Sequence, residues 1–178
     1  GFTNGEFYPR STLPWSTPWR VITIGDSPGT IVESTLGTDV ADSSVPDNFS
    51  YMKPGRASWS WALGKDASVN FETQREFIEY SGDMGWEYCL IDDFWDTAIG
   101  WNKMKELAAM AQARDVELLL WYSSSGDWNT VTYHPKDKLL TSESRNAEFT
   151  KLKELGIKGI KVDFFGGEPL LNWQVVKD

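Results

Sequence analysis

Val116-Glu117-Leu118-Leu119-Leu120-Trp121-Tyr122 is apolar at every position but one. A strand that packs one face alternates apolar with polar residues, whereas a near-continuous apolar run of this length fits a parallel strand covered on both faces. Just upstream, Met104, Leu107, Ala108 and Ala111 recur at i, i+3, i+4 and i+7 and lay one buried stripe along a helix. The same alternation of strand and helix continues outward. Towards the N-terminus, Trp86 to Ile91 reads as a strand. It follows a helix that Asn70 caps, that Phe77, Ile78 and Met84 mark as apolar on one side, and that Gly85 ends. Ala57-Ser58-Trp59-Ser60-Trp61 is a short strand before that helix. Towards the C-terminus, Glu143 to Leu155 carries Phe149, Leu152 and Leu155 and closes on Gly156, and Ile157 to Phe164 is the fourth strand.

Four strands separated by helices, repeating about every 30 to 40 residues, call for right-handed parallel βα units. Either a half barrel or a doubly wound sheet would satisfy this. A dinucleotide-binding sheet would have a glycine-rich fingerprint after its first strand, and no Gly-x-Gly-x-x-Gly occurs. The expected class is therefore α/β, a partial (β/α)8 TIM barrel of about four βα units. The chain has 178 residues, against roughly 250 for a complete barrel. Residues 51–178 form the expected barrel half. In residues 1–50, Trp19 to Ile24 and Thr30 to Leu36 flank Gly25-Asp26-Ser27-Pro28-Gly29 and read as a β-hairpin, followed by a polar connector from Gly37 to Ser50.

Composition narrows the function. A net charge of −9 with scattered Lys and Arg offers no footprint for nucleic acid. No apolar run is long enough to span a bilayer. The single Cys89 lies in an apolar run and reads as a small buried hydrophobe. With one Cys and one His a zinc site has no support, and no metal ligand is assigned in this chain. His134 sits in Val131-Thr132-Tyr133-His134-Pro135, a loop by its proline, and reads as loop structure, since nothing beside it in the sequence supplies the roles of a catalytic base. Ten Trp are present, several beside carboxylates and glycines. Each could be ordinary core, but flat rings next to hydrogen-bonding groups also suit sugars.

In a barrel the site lies at the C-terminal ends of the strands. There the sequence places Trp59 and Trp61, then Asp92 and Asp93 with Trp95, then Trp121-Tyr122 with Ser123 to Ser125, then Lys161 and Asp163. Alternation puts Gly159, Lys161 and Asp163 on one face of the fourth strand and Ile160 and Val162 on the other. The apolar pair suits the helix layer, so Lys161 and Asp163 are expected to point inward, where Lys161 would keep Asp163 ionised as a carboxylate nucleophile requires. Adjacent Asp92 and Asp93 would face opposite ways, one inward to accept sugar hydroxyls and the other, Asp93, a candidate helix N-cap.

Together with Thr17-Pro18-Trp19-Arg20-Val21-Ile22, Gly25 to Gly29, Lys53-Pro54-Gly55-Arg56-Ala57-Ser58-Trp59-Ser60-Trp61 and Gly156 to Gly167, these residues resemble glycoside hydrolase family 97, a bacterial family of α-glucosidases and α-galactosidases. The resemblance implies that residues 1–50 end an N-terminal β-sandwich domain and that the remainder begins the catalytic barrel. Asp163 on strand four matches the retaining, α-galactosidase-like branch, in which that carboxylate is the nucleophile. The Asp92-Asp93 pair and Lys161 match residues that hold galactose hydroxyls in related retaining barrels, and Trp59, Trp61, Trp95 and Trp121 complete the expected substrate-binding set. An α-linked oligosaccharide or galactoside is the implied substrate, and a periplasmic or secreted bacterial location the implied setting. The resemblance also implies calcium, with ligands mostly outside this chain, and an acid/base Glu from a later strand.

Both ends, Gly1-Phe2-Thr3 and Val175-Val176-Lys177-Asp178, are expected to be internal to a longer protein, and the chain alone is expected to be catalytically inactive. A carbohydrate-binding or structural half barrel, and an α-glucosidase of the same family, are the rival expectations. Open sheet edges and an uncovered interior suit self-association or partial disorder.

Overall fold

In the computed structural model the described residues are 12–16, 19–41, 50–126 and 129–163. They belong to two units that part between Lys53 and Pro54.

In the first unit, Pro28–Val32 forms helix α1, with the proline at its start, and Leu36–Asp39 a single helical turn, α2. The expected hairpin is absent: Trp19 to Ile24 has no regular secondary structure, and the second arm of the hairpin is partly helical. The physical reason is that, among the described residues of this unit, the two arms have no third strand to pair with and no buried apolar face to pack against. A two-stranded ribbon needs a third strand or an apolar face to be stable, and no described residue of this unit is buried. Pro28 instead has the fixed φ that suits a first helical turn.

The second unit runs β1 (Ala57–Trp59), α3 (Trp61–Gly64), a 3-10 turn (Lys65–Ser68), α4 (Phe71–Asp83), β2 (Tyr88–Ile91), α5 (Trp95–Ala98), α6 (Gly100–Ala113), β3 (Glu117–Ser123), α7 (Ser142–Glu154) and β4 (Gly159–Asp163). The strands make one parallel sheet in the order β1-β2-β3-β4. A doubly wound sheet reverses its order and covers both faces; this one does neither among the described residues.

Local signals set the helix limits. Extended Asn70 accepts the Thr73 N–H at 3.0 Å and starts α4, and Thr141 with Ser144 forms a reciprocal capping box on α7. Gly85 and Gly156 follow the C-caps of α4 and α7 with φ of +62° and +83°, a left-handed turn that an L side chain rarely adopts.

One face of the sheet meets the helices. Cys89, Ile91, Leu118, Leu120 and Tyr122 share a single core with Ile78 of α4, Met104, Leu107 and Ala111 of α6, and Leu152 of α7, and Ile160 and Val162 of β4 pack against it. Burial pushes the Cys89 thiol up to about 11, so it behaves as an inert core residue. Parallel register then assigns the opposite face. Trp59 is beside Leu90, Leu90 beside Leu119, and Leu119 beside Gly159; further along, Trp121 is beside Lys161 and Ser123 beside Asp163. The helix-free face therefore carries the chemistry.

Two helices bury stripes of the expected period but with different residues. Helix α4 buries Gln74, Ile78 and Ser81, and Met84 lies half-exposed at its C-cap. Helix α7 buries Glu148 and Leu152 and leaves Phe149 39% exposed. Glu148 is drawn inward because the Tyr122 hydroxyl donates to its Oε1 at 2.8 Å. Burial and this carboxylate push the Tyr122 phenol above its ordinary range. Among the described residues no helix is long and apolar enough to cross a membrane.

Leu107 is fully buried, so Leu107→Ala is expected to lower stability by about 2–5 kcal/mol, and Phe149→Ala by about 1 kcal/mol or less. Denaturant unfolding of the two variants checks the order, and equal losses would contradict the placement of α7.

Candidate active site

At the C-terminal ends of the four strands, two carboxylates share one ammonium. Lys161 Nζ is 2.9 Å from Asp163 Oδ2 and 3.3 Å from Asp92 Oδ2, and it lies 4.9 Å from the centre of the Trp59 ring. Each carboxylate also accepts one indole N–H. Trp59 donates to Asp92 Oδ2 at 2.6 Å and Trp121 donates to Asp163 Oδ2 at 2.7 Å. One strand supplies each part: Trp59 from β1, Asp92 from the end of β2, Trp121 from β3, Lys161 and Asp163 from β4. The alternation read from the sequence therefore brings Lys161 and Asp163 to the face away from the helices.

The two carboxylates differ in access. The Asp92 side chain is 4% exposed and the Asp163 side chain 41%. Burial pushes Asp163 up, but the Lys161 and Trp121 hydrogen bonds and the Lys161 charge outweigh it and hold the carboxyl below its usual range. Burial likewise lowers Lys161, while the two carboxylates more than restore it to above its ordinary value. At neutral pH both are charged, and Asp163 is the ionised carboxylate open to a reactant.

Asp92 is the inward member of the aspartate pair. Its Oδ1 accepts the Asp93 N–H at 2.9 Å. Asp93 is not a helix cap: that position belongs to Phe94, in a left-handed conformation with φ of +62°. Asp93 is buried, its Oδ1 has no hydrogen-bond partner, and burial, followed by the charges of Asp66 and Asp92, pushes it up to about 7.

The tryptophans separate into different roles. Trp61 starts α3 instead of ending β1; it stacks on Trp59 at 5.3 Å and donates Nε1 to Asp66 at 2.7 Å. Trp95 is a correction. The left-handed turn at Phe94 sends its side chain into the core, where it is fully buried, packs edge-on against Trp101 and Tyr122, and donates Nε1 to the Trp121 carbonyl at 2.9 Å. Trp121 is 2% exposed and its N–H is committed to Asp163.

Two features of the loop after β3 escape sequence reading. The Ser124 N–H donates to the Asp163 carbonyl at 3.0 Å, which joins the ends of β3 and β4. His134 lies in the loop, and its Nδ1 is 2.5 Å from Asp96 Oδ1 while its carbonyl accepts the Phe94 N–H at 2.7 Å. The first uses a backbone N–H, which the residue type does not signal, and nothing in the spacing of residues 96 and 134 signals the second. Among the described residues no group of three or more His, Cys, Asp and Glu could hold a metal ion. The calcium expectation thus finds no ligand set there.

Because Asp93 is raised from 3.8 to about 7, the native state holds its proton more tightly than the unfolded chain does. Its contribution is full below about pH 4, falls as the pH rises towards 7, and stays reduced above. Asp93→Asn is expected to flatten the fall in melting temperature between about pH 4 and pH 7; an unchanged slope in the variant would contradict the assignment.

The chain is 33% identical over 172 residues to a probable retaining alpha-galactosidase of Streptomyces bingchenggensis, covering 89% of this chain and 25% of that protein. It is 25% identical over 174 residues to a retaining alpha-galactosidase of Bacteroides thetaiotaomicron, covering 89% and 24%. The crystal structure of a beta-arabinopyranosidase matches with a TM-score of 0.75 at 42% identity, over 83% of this chain and 23% of that one. The chain thus spans about a quarter of the length of these relatives. The family model for glycoside hydrolase 97 matches residues 49–177, which include the whole four-stranded sheet and both inward carboxylates, and this chain belongs to that family.

Proposed function

We propose that these four βα units are the first half of a (β/α)8 barrel in a retaining α-galactosidase, with Asp163 as the nucleophile. The observation that carries this reading is the state of Asp163: ionised, held by Lys161 and Trp121, and open on one side at a strand's C-terminal end. A nucleophilic carboxylate must be charged and reachable, and Asp92, at 4% exposed, is much less reachable.

The reaction is a double displacement. A carboxylate oxygen of Asp163 bonds to the anomeric carbon as the bond to the leaving oxygen breaks. That oxygen keeps the bonding pair and takes a proton from a carboxylic acid, which the resemblance places beyond residue 178. Water then replaces Asp163 at the same carbon, losing its proton to the carboxylate left by the first step. Retention needs the two carboxyl groups about 5 Å apart.

Asp92 accepts sugar hydroxyls in this reading, and Lys161, a donor of three N–H bonds, can offer one beyond those to Asp92 and Asp163. The Trp59–Trp61 stack is the apolar wall of the site. Calcium, the β-sandwich origin of residues 1–50, a periplasmic or secreted location and self-association through open sheet edges enter the proposal through the resemblance and the incomplete sheet.

A second reading rests on the likeness to the beta-arabinopyranosidase. A β-L-arabinopyranoside has the ring configuration of an α-D-galactopyranoside and lacks only its hydroxymethyl group. The same nucleophile would serve both, and the wall facing that group would choose between them.

In the full-length protein, Asp163→Gly is expected to lower hydrolysis of 4-nitrophenyl α-D-galactopyranoside by at least about a thousandfold, with azide restoring turnover and yielding the β-galactosyl azide. Retained hydrolysis would contradict the nucleophile. Faster turnover of 4-nitrophenyl β-L-arabinopyranoside by the unmutated enzyme would select the second substrate.

A further inference from the structure

The two oxygens of Asp163 are not equivalent. Oδ2 receives the Trp121 indole N–H at 2.7 Å and the Lys161 ammonium at 2.9 Å. Oδ1 carries no hydrogen bond among the described residues. Trp121 is itself held in place. It stands beside Lys161 in the β3–β4 register, is 2% exposed, and its carbonyl accepts the Trp95 indole N–H at 2.9 Å. Three residues on, the Ser124 N–H fixes the Asp163 carbonyl at 3.0 Å. Strand β3 and the residue that follows it therefore hold Asp163, the last residue of β4, by both side chain and main chain.

An ammonium on a four-carbon stem neutralises charge without fixing the plane of a carboxylate. A buried indole has one N–H in one direction, and it can fix that plane without adding a second positive charge that would blunt the nucleophile. We propose that Trp121 is a positioning residue: its indole N–H, with Lys161, pins Oδ2 of Asp163 and leaves Oδ1 as the atom that attacks the anomeric carbon. This rests on the reading of Asp163 as nucleophile. It also replaces the expected role of Trp121 as a sugar platform, since its polar edge is used on the carboxylate and almost none of its surface is open. In the step itself, Oδ1 supplies the electron pair of the new bond, and the leaving oxygen takes the pair of the broken bond and a proton from the carboxylic acid of the later polypeptide.

The test uses the full-length enzyme with Trp121 replaced by 3-benzothienylalanine, which keeps the ring shape and lacks the N–H, and separately Trp121→Phe. Loss of one hydrogen bond to a charged oxygen is expected to lower kcat/KM for 4-nitrophenyl α-D-galactopyranoside by about tenfold or more. The acid limb of its pH profile should move to higher pH by roughly half a unit to one unit, because the carboxylate loses a donor that favours its charged form. Tyr122→Phe, which loses a buried hydrogen bond on the helix face of the same strand, should leave that limb in place. An unshifted acid limb in the benzothienyl variant, or an effect on KM alone, would overturn the proposal; should that variant not fold, the limb of Trp121→Phe decides in the same way. If Asp163→Gly kept its turnover, the nucleophile reading and this inference would fall together. If azide rescued Asp163→Gly while the Trp121 variants kept the parent limb, only this inference would fall.

Discussion

Lys161 is the constraint on which the site depends. One ammonium, 31% exposed, stands between Asp92 and Asp163, and each group in this trio would be poorly placed without the others. Removing a charge from water is expensive, and a partly buried pair repays that loss only when hydrogen bonds satisfy what remains. Here two indole N–H groups, one for each carboxylate, meet part of that demand. Such a cluster is a poor way to stabilise a fold and a good way to keep a carboxylate ionised beside an apolar wall.

The sheet makes the trio possible. Parallel register sets Trp121 beside Lys161 and Ser123 beside Asp163, while alternation sends Ile160 and Val162 into the helix-facing core. A one-residue slip of β4 would exchange these sets and put two charges among Leu120, Tyr122 and Leu152. The core on one face thus enforces the position of the chemistry on the other.

How much of this could be read from sequence varies with the kind of signal. The Gly-Ile-Lys-Val-Asp alternation of β4, the Met104-Leu107-Ala111 stripe and the Asn70, Gly85 and Gly156 boundaries are local, and the structure follows them. Trp95 could not be placed, because its direction depends on a left-handed Phe94, a conformation that a bulky residue seldom adopts. Apolarity alone also misjudged α7, where a buried glutamate bonded to Tyr122 displaces Phe149 from the core face. The hairpin expected near residue 25 depended on partners for its strands, and no described residue of that unit is buried. Nothing local could show that two tryptophans on separate strands would use their N–H groups on two aspartates, because those contacts span 33 and 42 residues.

The proposal that Asp163 is the nucleophile has a direct covalent test. Full-length enzyme treated with 5-fluoro-α-D-galactopyranosyl fluoride should accumulate a glycosyl-enzyme ester, and peptide mass mapping should find the added sugar on Asp163 in the Lys161-Val162-Asp163 segment. A label on Asp92, on another carboxylate, or on none in an enzyme that turns over α-galactosides would contradict the account.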